Sequence, residues 1–354
     1  MLKAKAGGRS KRGREETLVT KCAAIPGMMY TERSLTGARR ELAETAAVAV
    51  EGGVIAERRA KTTGHGVRES DALANLWFVR AAFEFATAAE KNVMREPESR
   101  EHLEFATGVL LPLCKRIIQE FISENGIGGV RMDDGGMLMI KAGKEEQPRP
   151  AALRLNALWY SALETTSQAL HGANSLGHTM DKNGARDRTG EHFQRLAGRF
   201  RRAFTKACWC AEHNRICPPE SRVKDHHGAL PDAEQLLMTV LPVSPLPRTK
   251  QREAIAQIAA TALGQVGVLM HHPEYGLVES TLHRAWLAQG AVSAAENNAD
   301  RDKAAEIMRG LANLAAPAGG AGIHAYYLDG QALGRVDVFA TAEVLGTLAR
   351  YSVG

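Results

Sequence analysis

Apolar residues recur at helical spacing along most of this chain, and strand-like alternation is scarce. The pattern predicts helices over Thr31–Val50, Asp71–Ala89, Glu101–Glu124, Asn156–His171, Glu191–Ala211, Asp232–Leu241, Lys250–Gly264, Thr281–Glu296, Arg301–Ala315 and Asp337–Tyr351. Within Glu101–Glu124, Leu110, Cys114, Ile117, Ile118 and Phe121 make one apolar stripe, and Pro112 implies a kink or a later helix start. In the last helix Asp337 is placed to cap the N-terminus, and Val338, Ala342, Leu345 and Leu348 form the predicted buried face. Gly-rich or Pro-rich connections separate these helices, as at Gly126–Gly136, Leu241–Pro247 and Ala316–Gly322, and Gly126–Met139 has the makings of a small hairpin. Paired helices joined by alternating short and long connections fit a closed ring of helical hairpins, with the long loops forming a cleft at one end. No long linker divides the body, so a single domain is expected.

Two helix entries carry a polar group followed by adjacent aromatics. Pro148–Leu163 is a proline-bounded loop running into Asn156, Trp159 and Tyr160, and Asp71–Phe78 repeats the idea with Trp77 and Phe78. Aromatic residues make up only 5% of the chain, with four Trp, which sets this pairing apart. Rings that stack on apolar sugar faces, beside polar groups that bind hydroxyls, make a carbohydrate cleft. Each feature also has a purely structural use: Asp71 and Asn156 as helix caps, and Trp77 and Trp159 as core.

Composition narrows the classes further. The 354 residues are 44% hydrophobic and 24% charged, which is globular. Residues 1–16 hold six Lys/Arg and two Glu, so most of the net charge of +5 lies in a basic, Gly-rich tail expected to be disordered. The body from 17 to 354 is close to neutral, which disfavours a nucleic-acid-binding domain. The basic start is not followed by an apolar run, and no stretch is long and apolar enough to span a membrane. Five Cys fit reduced thiols better than a disulfide framework, so a cytoplasmic location is expected. Cys208, Cys210, His213, Cys217 and the pair His226-His227 do not have common zinc-ligand spacing, no phosphate-cradling loop is present, and neither metal nor cofactor is expected. His271-His272 reads as a solvated loop.

The helix entries and their order resemble a known family. Leu155–Ala162 resembles an Ile-Asn-Ala-Leu-Trp-Tyr-Asn-Ala element of the bacterial glycogen debranching enzymes, in their C-terminal amylo-α-1,6-glucosidase domain. Asp71–Phe78, Pro231–Leu236, Leu241–Leu246, Tyr327–Gln331 and Ala340–Leu345 are similar to further elements of that family, in the same order. The resemblance runs over about residues 17–352. It implies an all-α (α/α)6 barrel, a six-hairpin toroid, and hydrolysis of α-1,6-linked glucose at a branch point. Two carboxylates would do the work, one protonating the leaving oxygen and one activating water, with a gap of about 6.5–9.5 Å in an inverting enzyme. The implied partner is a branched α-glucan or oligosaccharide, with glucan targeting supplied by a separate domain or partner.

Several active-site elements of the family are altered here. Its Trp-Gly-Arg-Asp run falls on Thr17–Thr20, and no Trp-Met-Asp stands between Met139 and Pro148. The nearest likeness, Arg131–Asp134, makes Asp134 or Asp133 the candidate acid, with Glu145 and Glu146 as further candidates, and Asp329 of the Asp-Gly element the candidate base. Asp71, Asn156 and His283 are the candidate sugar-orienting groups, and Trp77, Trp159 and Trp286 the candidate stacking surfaces. Arg154 replaces a Glu of the family and reverses the local charge. Two expectations therefore stand side by side: a glycoside hydrolase, and an inactive or weakened glucan-binding homologue.

Overall fold

The computed structural model describes residues 18–31, 35–52, 54–55, 69–92, 98–140, 147–175, 188–211, 215–216, 232–272, 274–315, 322–328 and 331–351. Twelve α-helices are described. They are α1 (Leu18–Thr31), α2 (Leu35–Gly52), α3 (Glu69–Asn92), α4 (Glu98–Phe105), α5 (Leu111–Ile122), α6 (Leu153–Ser175), α7 (Thr189–Cys208), α8 (Leu237–Val240), α9 (Arg248–Thr261), α10 (Thr281–Ala294), α11 (Asn298–Ala315) and α12 (Val338–Tyr351). Among the described residues no helix is long and apolar enough to cross a membrane.

The helices sort into two sets by what they touch. One set makes a circuit: α1 packs on α3, α3 on α6, α6 reaches α8, α8 packs on α10, α10 on α12, and α12 returns to α1. The other set, α2, α4 with α5, α7, α9 and α11, lies against neighbouring members of that circuit. Burial follows the same division. In α3 the run Ala74–Ala82 is buried on every side, as is His283–Gly290 of α10, the mark of helices enclosed by others. α7 instead buries a single stripe, Phe193, Leu196, Ala197, Phe200 and Phe204, at helical spacing.

The region predicted over Glu101–Glu124 begins earlier, at Glu98, and does not break at Pro112. A π-helical turn, Ala106–Leu110, joins α4 to α5, and Leu111 N–H donates to the Ala106 carbonyl. Pro112 brings no N–H to the helical ladder, and the widened turn just ahead of it accommodates its ring. The predicted stripe is buried throughout.

Three parts of the fold depart from the sequence reading. α1 carries Pro26 and Gly27 at its middle, and that pair hid the helix. Gly27 is there because α12 comes so close: a Cβ on it would lie 2.3 Å from the Ala342 carbonyl oxygen, and one on Gly346 only 2.7 Å from Gly27 Cα. This contact also turns α12. Its buried residues include Phe339, Ala342, Glu343, Val344, Gly346 and Thr347, whereas Val338 and Leu345, assigned to the core, are 48% and 40% exposed. Glycine against glycine, with a buried carboxylate, outweighs the pattern of large apolar residues.

The third departure is a four-stranded antiparallel sheet, β6 (Val268–His272), β7 (Gly276–Ser280), β8 (His324–Leu328) and β9 (Gln331–Val336), paired in that order. Its strands are short and rich in His, Tyr and Gly, so no apolar alternation announced them. His271-His272, expected in a loop, closes β6 instead. The hairpin expected in Gly126–Met139 is present, with the second strand running one residue further. β1 (Val130–Met132) pairs with β2 (Leu138–Ile140), and β3 (Arg149–Pro150) adds to β2. β4 (Trp209–Cys210) and β5 (Arg215–Ile216) form a separate two-stranded sheet.

Candidate functional site

The strands feed the N-terminal ends of the circuit helices. β3 precedes α6, β7 runs directly into α10, and β9 precedes α12, while a short 3-10 turn, Ala233–Leu236, enters α8. Side chains at these entries meet. Asp232 caps the 3-10 turn, its Oδ1 accepting from the Glu234 N–H at 3.0 Å. Ser280 caps α10 with Oγ, which lies 2.8 Å from His283 Nδ1. Asp337 caps α12 as its sequence position predicts, Oδ1 accepting from Ala340 N–H at 2.7 Å.

Glu234 stands where three of these entries converge. Its Oε2 is 3.5 Å from Arg154 Nε, in the first turn of α6, and its Oε1 is 3.8 Å from His283 Nε2, in the first turn of α10. The Glu234 side chain is 20% exposed, and that of His283 is buried edge-on against Trp286, with ring centroids 5.0 Å apart. Tyr326 of β8 faces the same group: burial pushes its phenol up, Arg154 opposes this, and Glu234 and Asp337 add to it. Asp232, Glu234, Arg154, His283, Tyr326 and Asp337 thus make one electrostatic cluster.

The two neighbouring carboxylates in it are driven in opposite directions. Burial raises Asp232 above the usual carboxylate range, and the Glu234 charge adds to this, with only partial relief from the Glu234 backbone N–H. Burial also works to raise Glu234, but His283 and Arg154 together overcome it and hold Glu234 below its ordinary value. The two carboxyls are thereby shifted apart in acidity.

The residues singled out from the sequence fall in several places. His283 is in the cluster. Asp71 lies within the first turn of α3 rather than at its cap, a position that suits a carboxylate at the positive end of a helix. Asn156 is enclosed, its Oδ1 accepting from Leu138 N–H at 2.8 Å and its amide donating to the Ala151 carbonyl at 2.9 Å, so it ties β2 to the α6 entry. Trp77, Trp159 and Trp286 are wholly buried, placed in packing rather than on a sugar-facing surface. Trp159 Nε1–H donates to the Gly136 carbonyl at 2.9 Å, and the Trp77 ring meets Phe339 edge-on. Asp133 and Asp134 sit in the β1–β2 turn. Asp133 Oδ1 accepts from Met137 N–H at 2.8 Å, and the Asp134 carbonyl accepts from Arg199. Asp329, Glu145 and Glu146 lie outside the described residues.

Sequence reasoning marked Pro231–Leu236 only as a likeness and passed over Asp232 and Glu234. Arg154 was noted as a charge reversal, and its partner is Glu234. A basic residue in the first turn of a helix, where the dipole disfavours it, was the available signal that an acid stood opposite.

A second polar group lies between α3, α10 and α12. Arg80 Nε is 2.8 Å from Glu84 Oε1, and Arg80 also lies 3.7 Å from Glu343. The Gln289 amide donates to Glu343 at 3.1 Å and to Thr347 Oγ1 at 2.6 Å. These side chains, with Gly27 and Gly346, line a crevice of about 10 Å³, room for about one water. Burial raises Glu343 above its ordinary value, while Arg80 works in the opposite sense.

The whole is a predominantly α-helical protein whose fold is similar to those of other solved structures. Over 92% of this chain and 91% of the other, it superposes on an uncharacterized conserved protein from Thermus thermophilus, with a TM-score of 0.56 and 12% identity. A rhamnosidase from Klebsiella oxytoca with rhamnose bound matches 97% of this chain and 59% of its own, with a TM-score of 0.53 and 12% identity. No family model matches the chain. No curated protein matches it in sequence either. Likeness at this identity concerns the fold alone.

Proposed function

We propose that the circuit of helices is an (α/α)6 barrel and that the Glu234 end of it is a carbohydrate site of the glycoside hydrolase class. The observation that carries this reading is the pair Asp232 and Glu234, adjoining carboxyls pushed apart in acidity beside Arg154 and His283. Such a divided pair is what acid–base hydrolysis of a glycosidic bond needs. In the reaction, the Asp232 carboxyl gives its proton to the leaving oxygen as the bond to the anomeric carbon breaks. Glu234, kept ionised by His283 and Arg154, takes a proton from the water that attacks that carbon. Arg154 and His283 hold Glu234 in place, and Tyr326 closes the cluster from the sheet. The resemblance to amylo-α-1,6-glucosidases supports a narrower version, in which the substrate is a single glucose at an α-1,6 branch.

The test is sugar release from a panel of aryl glycosides and from a phosphorylase limit dextrin. Release by the wild type, reduced at least about a hundredfold in Glu234→Gln, is expected. Equal release by Glu234→Gln would sink the assignment. A second reading, a glucan-binding homologue without turnover, is favoured by the use of Asp133 and Asp134 in a turn. Glucan binding with no release from any substrate would select it.

A further inference from the structure

The sheet beside Glu234 carries an aromatic file that begins at Tyr326 of the cluster and continues beyond it through His272 and Tyr275. In its register His272 pairs with Gly276, and Ser280 with Tyr326, so His272 and Tyr326 share one face of the sheet. Their rings are 4.8 Å apart, tilted at 59°. His272 in turn stacks on Tyr275, centroids 4.8 Å apart and planes within 21°. Tyr275 is in the turn between β6 and β7 and is 40% exposed. Gly276 follows it with φ of 74°, and nothing lies within 4 Å of where its Cβ would be. The three rings therefore run from the half-buried Tyr326, beside Arg154 and Glu234, out to solvent.

Their chemistry is particular. His272 Nδ1 accepts from the Glu274 N–H at 3.2 Å, which in the neutral ring leaves the proton on Nε2 as a donor. Tyr275 and Tyr326 each add a ring face and a hydroxyl. Tyr275 covers His272 with one face, and its exposed outer face with the hydroxyl at its edge suits a pyranose ring, whose C–H face is apolar and whose edge is hydroxylated. Of the three rings only Tyr275 is exposed, at the outer end of the file.

We propose that the outer face of Tyr275, backed by His272 and Tyr326, is a stacking surface for one sugar ring of an oligosaccharide whose end lies at Glu234. This rests on the carbohydrate reading above, and it makes the preferred ligand a chain rather than a free monosaccharide. Leu277, on the same hairpin but the opposite face and 50% exposed, is the matched control.

The experiment is calorimetric titration of maltoheptaose and of glucose into the wild type, Tyr275→Ala and Leu277→Ala, with melting curves confirming that all three fold. Maltoheptaose is expected to bind the wild type more tightly than glucose does. Tyr275→Ala should weaken maltoheptaose about tenfold, leaving glucose unchanged, and Leu277→Ala should match the wild type. Equal affinity of the wild type for the two sugars, or none for either, overturns the stacking surface, as does undiminished maltoheptaose binding by Tyr275→Ala. An equal loss in Leu277→Ala overturns it too. Chain-length-dependent binding that is lost in Tyr275→Ala, in a protein that releases no sugar, upholds the stacking surface and rejects hydrolysis.

Discussion

At the scale of single residues, the acidities of Glu234 and Asp232 set the shape of a pH profile. The proposed hydrolysis needs Glu234 ionised, so its acid limb should fall as pH drops through a value below its ordinary 4.5. It also needs Asp232 protonated, so the other limb should fall as pH rises through a value above its ordinary 3.8. The result is a bell bounded by these two limbs, read from initial rates across pH. His283→Gln removes one of the two groups that lower Glu234, and its acid limb should move upward. An unmoved limb would assign the control to Arg154 alone. Glu343 gives a prediction of the opposite kind, in stability. Its native acidity is weakened by burial, so between its ordinary 4.5 and its raised native value the folded state holds more protons than the unfolded. Stability should therefore decline as pH rises through that window, being fully present below it, and Glu343→Gln should flatten the decline in denaturant titrations at several pH values.

Helix entries are the elements on which the candidate site is built, and their caps are separable from its chemistry. Asp337→Ala removes an N-cap of α12 and should cost about 1 kcal/mol in urea unfolding. Asn156→Ala leaves the buried Leu138 N–H without its acceptor, a penalty of about 1–3 kcal/mol by the same measurement. Much of this layer was readable in advance. Helical periodicity located every described α-helix after α1 to within a few residues or as part of a longer stretch, because an enclosed stripe repeats along it. The Asp337 cap was readable because it depends on local chain geometry. What escaped had tertiary causes. α1 was obscured by Pro26-Gly27, whose reason is a neighbour far along the sequence. β6 to β9 lack alternation because both faces carry His and Tyr, His272 and Tyr326 on one and His271 and Tyr327 on the other. Asp232 gains its character from burial in the folded chain, and Glu234 from Arg154 and His283, which other helices bring to it. Trp77, Trp159 and Trp286 drew attention as aromatics, but an aromatic at a helix entry gives no sign from sequence of which way it faces.

The whole molecule is held by interactions that cross the circuit. Arg80 reaches two carboxylates, Glu84 on its own helix and Glu343 on α12, and its guanidinium lies over the Trp77 ring. Arg80→Met would leave acidic groups buried without their cation, and a loss of about 3–5 kcal/mol is expected from chemical denaturation. The smaller loss expected of Glu343→Gln, which keeps a polar partner for Gln289, distinguishes removal of a cation from removal of an anion. The contact of Gly27 with Gly346 has a consequence of another sort. It joins the earliest described helix to the latest, so the circuit stays open until the ribosome has passed α12. Throughout translation the surface of α1 destined for α12 has no occupant, and the nascent chain must hold that gap open without filling it wrongly. A side chain at either glycine would act on that last docking step, which is where a long-range fold of this kind is slowest to commit.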